Sequence, residues 1–169
     1  QNRFQLLDPV ISDFPKNSEI EIHLTPKEVE NSRERLDSAL GKGKNAIMVS
    51  ALGSSRNKTY PLKYMAQLMD IAFQTKQLPF ILNYKPDQEG QIEELINLLK
   101  LPTQKAVIKS LTPNSLRDYM ATAYHCIAVV GNEGGAINIA KVLKKPTFAI
   151  FSPLIDPSGW HSETRNTCV

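Results

Sequence analysis

Cysteine is nearly missing from this 169-residue chain: only Cys126 and Cys168 occur, too few and too far apart for a disulfide framework or a zinc cluster. That scarcity fits a reduced, cytosolic setting. Long apolar runs are also missing, so nothing in the sequence reaches bilayer-spanning length, and no basic region followed by an apolar stretch opens it. There is no G-x-G-x-x-G after a strand, no histidine pair at metal spacing and no nucleophile elbow. Those gaps weigh against a nicotinamide or flavin enzyme, a zinc hydrolase and an α/β-hydrolase. A dense Lys/Arg stripe with interleaved aromatics is missing too, which argues against a nucleic-acid surface. Gln1 in first place reads as a processed or excised fragment.

What is present is ordinary globular material. Hydrophobic residues make up 41% and charged residues 22%, enough for one domain with a real core. Charge is uneven. Residues 1–40 hold five Lys/Arg against eight Asp/Glu, whereas residues 41–169 hold fifteen against nine, for a net +3. A basic body behind an acidic leader favours an anionic ligand.

Residues 1–24 show no sustained period and read as an interdomain linker or lead-in; residues 25–169 read as the folded domain. Thr25-Pro26-Lys27-Glu28 is a capping box with proline at the first helical position, predicting a helix to about Leu40 that stops at Gly41. Beyond it, short apolar runs at 46–51, 79–83, 105–109, 126–130 and 147–151 alternate with stretches of helical spacing. Pro61 and Pro113 are expected in first turns, the latter behind Thr112 as N-cap. The alternation predicts an α/β fold, a parallel sheet of about five strands between two helical layers. Right-handed crossovers give the order 3-2-1-4-5, which sets the first and fourth strands side by side at the switch point where ligands bind.

The loops at that point are Leu52-Gly53-Ser54-Ser55-Arg56-Asn57-Lys58 and Gly131-Asn132-Glu133-Gly134-Gly135. Gly134 and Gly135 are expected to open a helix, where unpaired N–H groups suit a phosphate and no Cβ intervenes. Glycines there also serve a tight turn, so the two readings stand side by side. Lys58, with Ser54 and Ser55 near it, can neutralise a diphosphate, or can simply be a solvated loop lysine. Gly53–Thr59 only faintly echoes a P-loop: the glycine before the lysine is missing and the spacing is one residue short. Glu133 would repel phosphate and so faces sugar hydroxyls, unless it only complements the helix dipole.

Together these stretches resemble the C-terminal half of the family 9 glycosyltransferases, the lipopolysaccharide heptosyltransferases. The densest match runs from Gly131 through Asn132-Glu133-Gly134-Gly135-Ala136-Ile137-Asn138 to Ala140, and on through Lys145-Pro146-Thr147 to Ser152-Pro153. Lys58-Thr59-Tyr60-Pro61 resembles the family's Lys-x-Trp-Pro. The resemblance implies one Rossmann-like half of a GT-B enzyme that binds a nucleotide-diphosphate sugar. The other half would hold the acceptor and the catalytic base.

By position the resemblance assigns the backbone N–H groups of Gly134, Gly135 and Ala136 to the diphosphate. It assigns Lys58, helped by Ser54, to the leaving phosphate; Gly53, Ser55 and Asn132 to donor binding; Glu133 to the sugar; Glu89 to the ribose; and Leu111 to the base. Glu133 stands where the family has aspartate, and Asn138 where it usually has histidine, which implies a reshaped sugar pocket. The implied chemistry is inverting, metal-independent transfer without a cofactor, onto a lipopolysaccharide-type acceptor at the inner face of the membrane. The competing readings are a sugar-nucleotide epimerase and a binding module with a degenerate site.

Overall fold

The first helix starts where its capping box dictates. In the computed structural model, which describes residues 21–153 and 167–168, helix α1 spans Pro26–Leu40. The Thr25 hydroxyl accepts from the Glu28 N–H, and the Glu28 carboxylate accepts from the Thr25 N–H at 2.8 Å. Gly41 ends the helix at φ 95°, a left-handed backbone suited to glycine. The expected linker over residues 1–24 lies mostly outside the described residues.

The remaining elements alternate as their apolar spacing predicts. They are β1 (Ile47–Ser50), α2 (Leu62–Lys76), β2 (Phe80–Leu82), α3 (Glu89–Leu98), α4 (Leu101–Lys105) and α5 (Leu116–His125). Then follow β3 (Ala128–Asn132), α6 (Gly135–Val142), β4 (Thr147–Ile150) and a two-residue β5 (Thr167–Cys168). The sheet is parallel, in the order β2-β1-β3-β4-β5. β1 and β3 are neighbours, with Ile47 opposite Ala128 and Ser50 opposite Gly131. Gly131 makes that approach possible, because a Cβ on it would lie 2.2 Å from the Ser50 carbonyl oxygen.

Side chains alternate across the sheet, so each face builds its own core. On one face Met48, Ile81, Val129 and Ala149 pack against Leu36 of α1, Tyr119 and Ala123 of α5, and Ile137 and Ala140 of α6. On the other, Ile47, Val49, Phe80 and Leu82 meet Met65, Ala66 and Met69 of α2 and Ile92 and Leu95 of α3. The doubly wound layering is as expected.

Two local expectations are corrected. The strand expected over 105–109 is absent as a strand: Lys105 ends α4, and Val107 makes a single parallel bridge to Phe80. The Phe80 N–H donates to the Ala106 carbonyl, and the Ile108 N–H to the Phe80 carbonyl. The chain then turns into a 3-10 segment, Lys109–Leu111. That bridge still occupies the third strand's place beside β2, so the spatial order holds. Thr112 is not an N-cap. It closes the 3-10 turn, and α5 is capped by Ser115, whose hydroxyl accepts from the Asp118 N–H. Among the described residues no helix is long and apolar enough to cross a membrane.

Candidate functional site

Because all strands run the same way, their carboxyl ends and the loops that leave them share one edge of the sheet. A cavity of about 830 Å³ opens there, within the range of small-molecule sites. Its wall includes Gly53, Ser54 and Lys58 after β1, Lys85 and Glu89 after β2, and Asn132 to Ala136 from the end of β3 into α6. The lysine loop and the two glycines therefore meet at one crevice.

The loop after β1 is held by its own hydrogen bonds. The Gly53 N–H donates to the Thr59 hydroxyl at 3.0 Å, and that hydroxyl donates to the Ser55 carbonyl at 2.8 Å. The Lys58 N–H closes onto the same carbonyl at 3.0 Å, within the 3-10 turn Arg56–Lys58. Gly53 is required for this closure, since a Cβ there would come within 2.2 Å of the Lys58 carbonyl oxygen. Lys58 itself is exposed.

Across the cavity Gly134 sits just before α6 at φ 149° and ψ −165°, a region essentially reserved for glycine. The first bond of α6 runs from the Asn138 N–H to the Gly134 carbonyl at 3.0 Å. The N–H groups of Gly135, Ala136 and Ile137 thus have no acceptor within the helix. A Cβ on Gly135 would meet nothing within 4 Å. Packing does not require glycine at 135; its effect is to leave the space beside those amides empty. Behind them Tyr119, 3% exposed, donates its hydroxyl to the Ala136 carbonyl at 2.7 Å. Burial, with a smaller contribution from nearby Cys126, pushes that phenol above its usual range, so it stays a donor and steadies the first turn of α6.

The other expected residues divide. Glu133, half-buried, and Glu89, exposed, line the cavity. Ser55 borders an adjoining polar recess of about 380 Å³ with Asp87 and Gln91. Asn132 lines the cavity at 5% exposure, but its amide is committed to backbone: Oδ1 accepts from the Tyr60 N–H, and Nδ2 donates to the Ala51 carbonyl, each at 2.6 Å. Asn138, half-buried on α6, is not among the cavity-lining residues. Leu111 is corrected as a base-lining residue, because the 3-10 turn directs it into the core at 2% exposure.

Several lining residues were not anticipated. Lys85 and Gln88 stand just past β2; Thr112 closes the 3-10 turn, and Ser115 and Leu116 stand at the start of α5. The rule that ligands meet strand carboxyl ends would have found the first pair. The Thr112 hydroxyl is buried there without a hydrogen-bond partner in the protein. Outside the cavity, burial pushes the Cys126 thiol up to about 12, so it is inert, and lowers His125, whose Nε2 lies 2.9 Å from the Val29 carbonyl. Among the described residues no group of three His, Cys, Asp or Glu could hold a metal ion.

The family model described as "Glycosyltransferase family 9 (heptosyltransferase)" matches residues 1–162. No curated protein matches the sequence. The solved family 9 glycosyl transferase from Veillonella parvula is similar over 97% of this chain and 46% of its own, with a TM-score of 0.78 at 14% identity. Escherichia coli ADP-heptose lps heptosyltransferase II is similar over 86% of this chain and 44% of its own, with a TM-score of 0.69 at 17% identity. The Methanocaldococcus jannaschii UDP-GlcNAc 2-epimerase, solved with UDP-GlcNAc and UDP, shares the fold at a TM-score of 0.55 and 16% identity, over 83% of this chain and 38% of its own. The chain spans less than half the length of each of these structures.

Proposed function

The chain belongs to glycosyltransferase family 9, and from that premise we propose that it is the donor-binding half of an inverting glycosyltransferase that uses a nucleotide-diphosphate sugar. One observation carries the reading: Lys58 and the unpaired N–H groups at the start of α6 line the same cavity. An ammonium group and a row of backbone donors match the two phosphates of such a donor. The Escherichia coli heptosyltransferase WaaC has been solved with ADP-2-deoxy-2-fluoro heptose and is similar at a TM-score of 0.56, which supports a donor of this class.

Transfer would be a displacement at the anomeric carbon. The acceptor oxygen forms the new bond, the bond from carbon to the phosphate oxygen breaks, and the electron pair leaves with the diphosphate. In this proposal Lys58 and the N–H groups of Gly134, Gly135 and Ala136 stabilise the charge that develops on the departing phosphate. Glu133 accepts from sugar hydroxyls and Glu89 from the ribose. The donor needs no metal ion or cofactor in this scheme. The base that takes the acceptor proton, and the lipopolysaccharide-type acceptor itself, belong to a second domain working at the inner face of the membrane.

Epimerisation is the poorer reading. It requires acid and base groups around the sugar, and the carboxylates lining the cavity are Glu89 and Glu133 alone among the described residues. Calorimetry of the chain with ADP-, GDP- and UDP-sugars tests the proposal. Saturable binding of one of them, competed by the matching nucleoside diphosphate, is expected. No heat with any of the three would favour a module with a degenerate site.

A further inference from the structure

We infer that Asn132 is a positioning residue, whose buried amide fixes the Lys58 loop against the start of α6. The inference rests on the donor-binding reading and adds to it a part that touches no substrate. Ala51 and Tyr60 are the two feet of the loop 52–59, and one amide group holds both. The Ala51 carbonyl accepts from Asn132 Nδ2 and the Tyr60 N–H donates to Asn132 Oδ1, each at 2.6 Å. Asn132 is the last residue of β3, and α6 begins three residues later at Gly135. The same residue is thus continuous with one side of the cavity and bonded to both ends of the other.

The loop transmits that placement because it is braced internally. Thr59 ties Gly53 to Ser55, and the Lys58 N–H closes on Ser55. With its feet fixed and its span cross-linked, the loop holds the Lys58 backbone at the wall of the cavity that the start of α6 also lines. The chemistry demands an amide: one planar group must accept on one side and donate on the other. A carboxylate keeps the acceptor but sets a second oxygen against the Ala51 carbonyl. Alanine removes both partners and leaves a buried N–H and C=O unpaired.

The test is a double-mutant cycle on nucleoside diphosphate affinity, measured by calorimetry with whichever of ADP, GDP and UDP the wild-type chain binds most tightly. Asn132→Ala is expected to weaken binding about tenfold. Once Lys58→Ala is present, Asn132→Ala should cost little more, because the group it positions has gone. A purely structural Asn132 would lower unfolding midpoints without this non-additivity. Should the alanine variant fail to fold, Asn132→Asp carries the test. Its affinity relative to wild type should be reduced at neutral pH and recover as acidification lets the new carboxyl donate to Ala51. Equal affinity of the Asn132 variants and wild type, or losses that multiply with Lys58→Ala, overturns the inference while leaving donor binding intact. Failure of the wild type to bind any of the three nucleotides overturns the donor reading and this inference with it.

Discussion

Replacing Gly135 by alanine should separate stability from binding. Gly135 is the first residue of α6, is exposed, and has nothing within 4 Å of where a Cβ would stand. Alanine restricts the unfolded chain and suits a helix, so the fold should gain about 0.5–1 kcal/mol. For a chain of this size that is a rise of about 1–4 °C in Tm. The added methyl, however, stands at a cavity-lining residue beside the unpaired N–H groups of α6. If a diphosphate rests on those amides, the methyl holds it away and weakens charge-assisted hydrogen bonds worth about 1.5–3 kcal/mol. That corresponds to about tenfold to hundredfold in affinity. Thermal denaturation and calorimetry with the preferred nucleoside diphosphate read the two effects on one sample. A more stable variant with undiminished affinity would refute the placement of phosphate at α6.

Gly134→Ala should act in the opposite sense on stability: at φ 149° and ψ −165° it strains the backbone, and urea denaturation should show a loss of about 1–3 kcal/mol. Lys58→Ala should leave stability unchanged and weaken nucleoside diphosphate binding about tenfold to hundredfold, with a shallower salt dependence; unchanged affinity would remove Lys58 from the site. Thr25→Ala should lower stability by about 1 kcal/mol and leave nucleotide binding alone. Glu28, held down to about 2 by Arg117 first and by Thr25 next, stabilises the fold fully above its ordinary value of 4.5 and loses that contribution as pH falls through about 2. Arg117→Ala should therefore flatten the acid limb of urea midpoints measured across that window.

What the sequence revealed depended on how local the signal was. The α1 cap was readable because Thr25, Pro26 and Glu28 settle it within four residues. The sheet order followed from alternation and handedness, and survives even though its third member shrank to one bridge at Val107. That shrinkage was not readable: 105–109 looks like a strand until α4 claims Lys105 and the 3-10 turn claims Lys109. Thr112-Pro113 reads as a helix start, but Thr112 is spent closing the 3-10 turn before it, and α5 opens at Ser115 instead. Of the site, the glycines and Lys58 stood out by chemistry and by place in the topology. Asn132 entered only through the resemblance, as a donor residue, and its tie to the Lys58 loop was not readable, because its partners lie 72 and 81 residues away in the chain. Leu111 failed similarly, since a position after a strand does not tell which way a 3-10 turn directs a side chain.

Arg117, in the first turn of α5, grips both the Glu28 carboxylate and the His23 carbonyl. Its neighbours Ser115 and Leu116 form part of the cavity wall. The backbone at His23 is thereby tied directly, as well as through α1, to the helix whose first residues form one wall of the crevice.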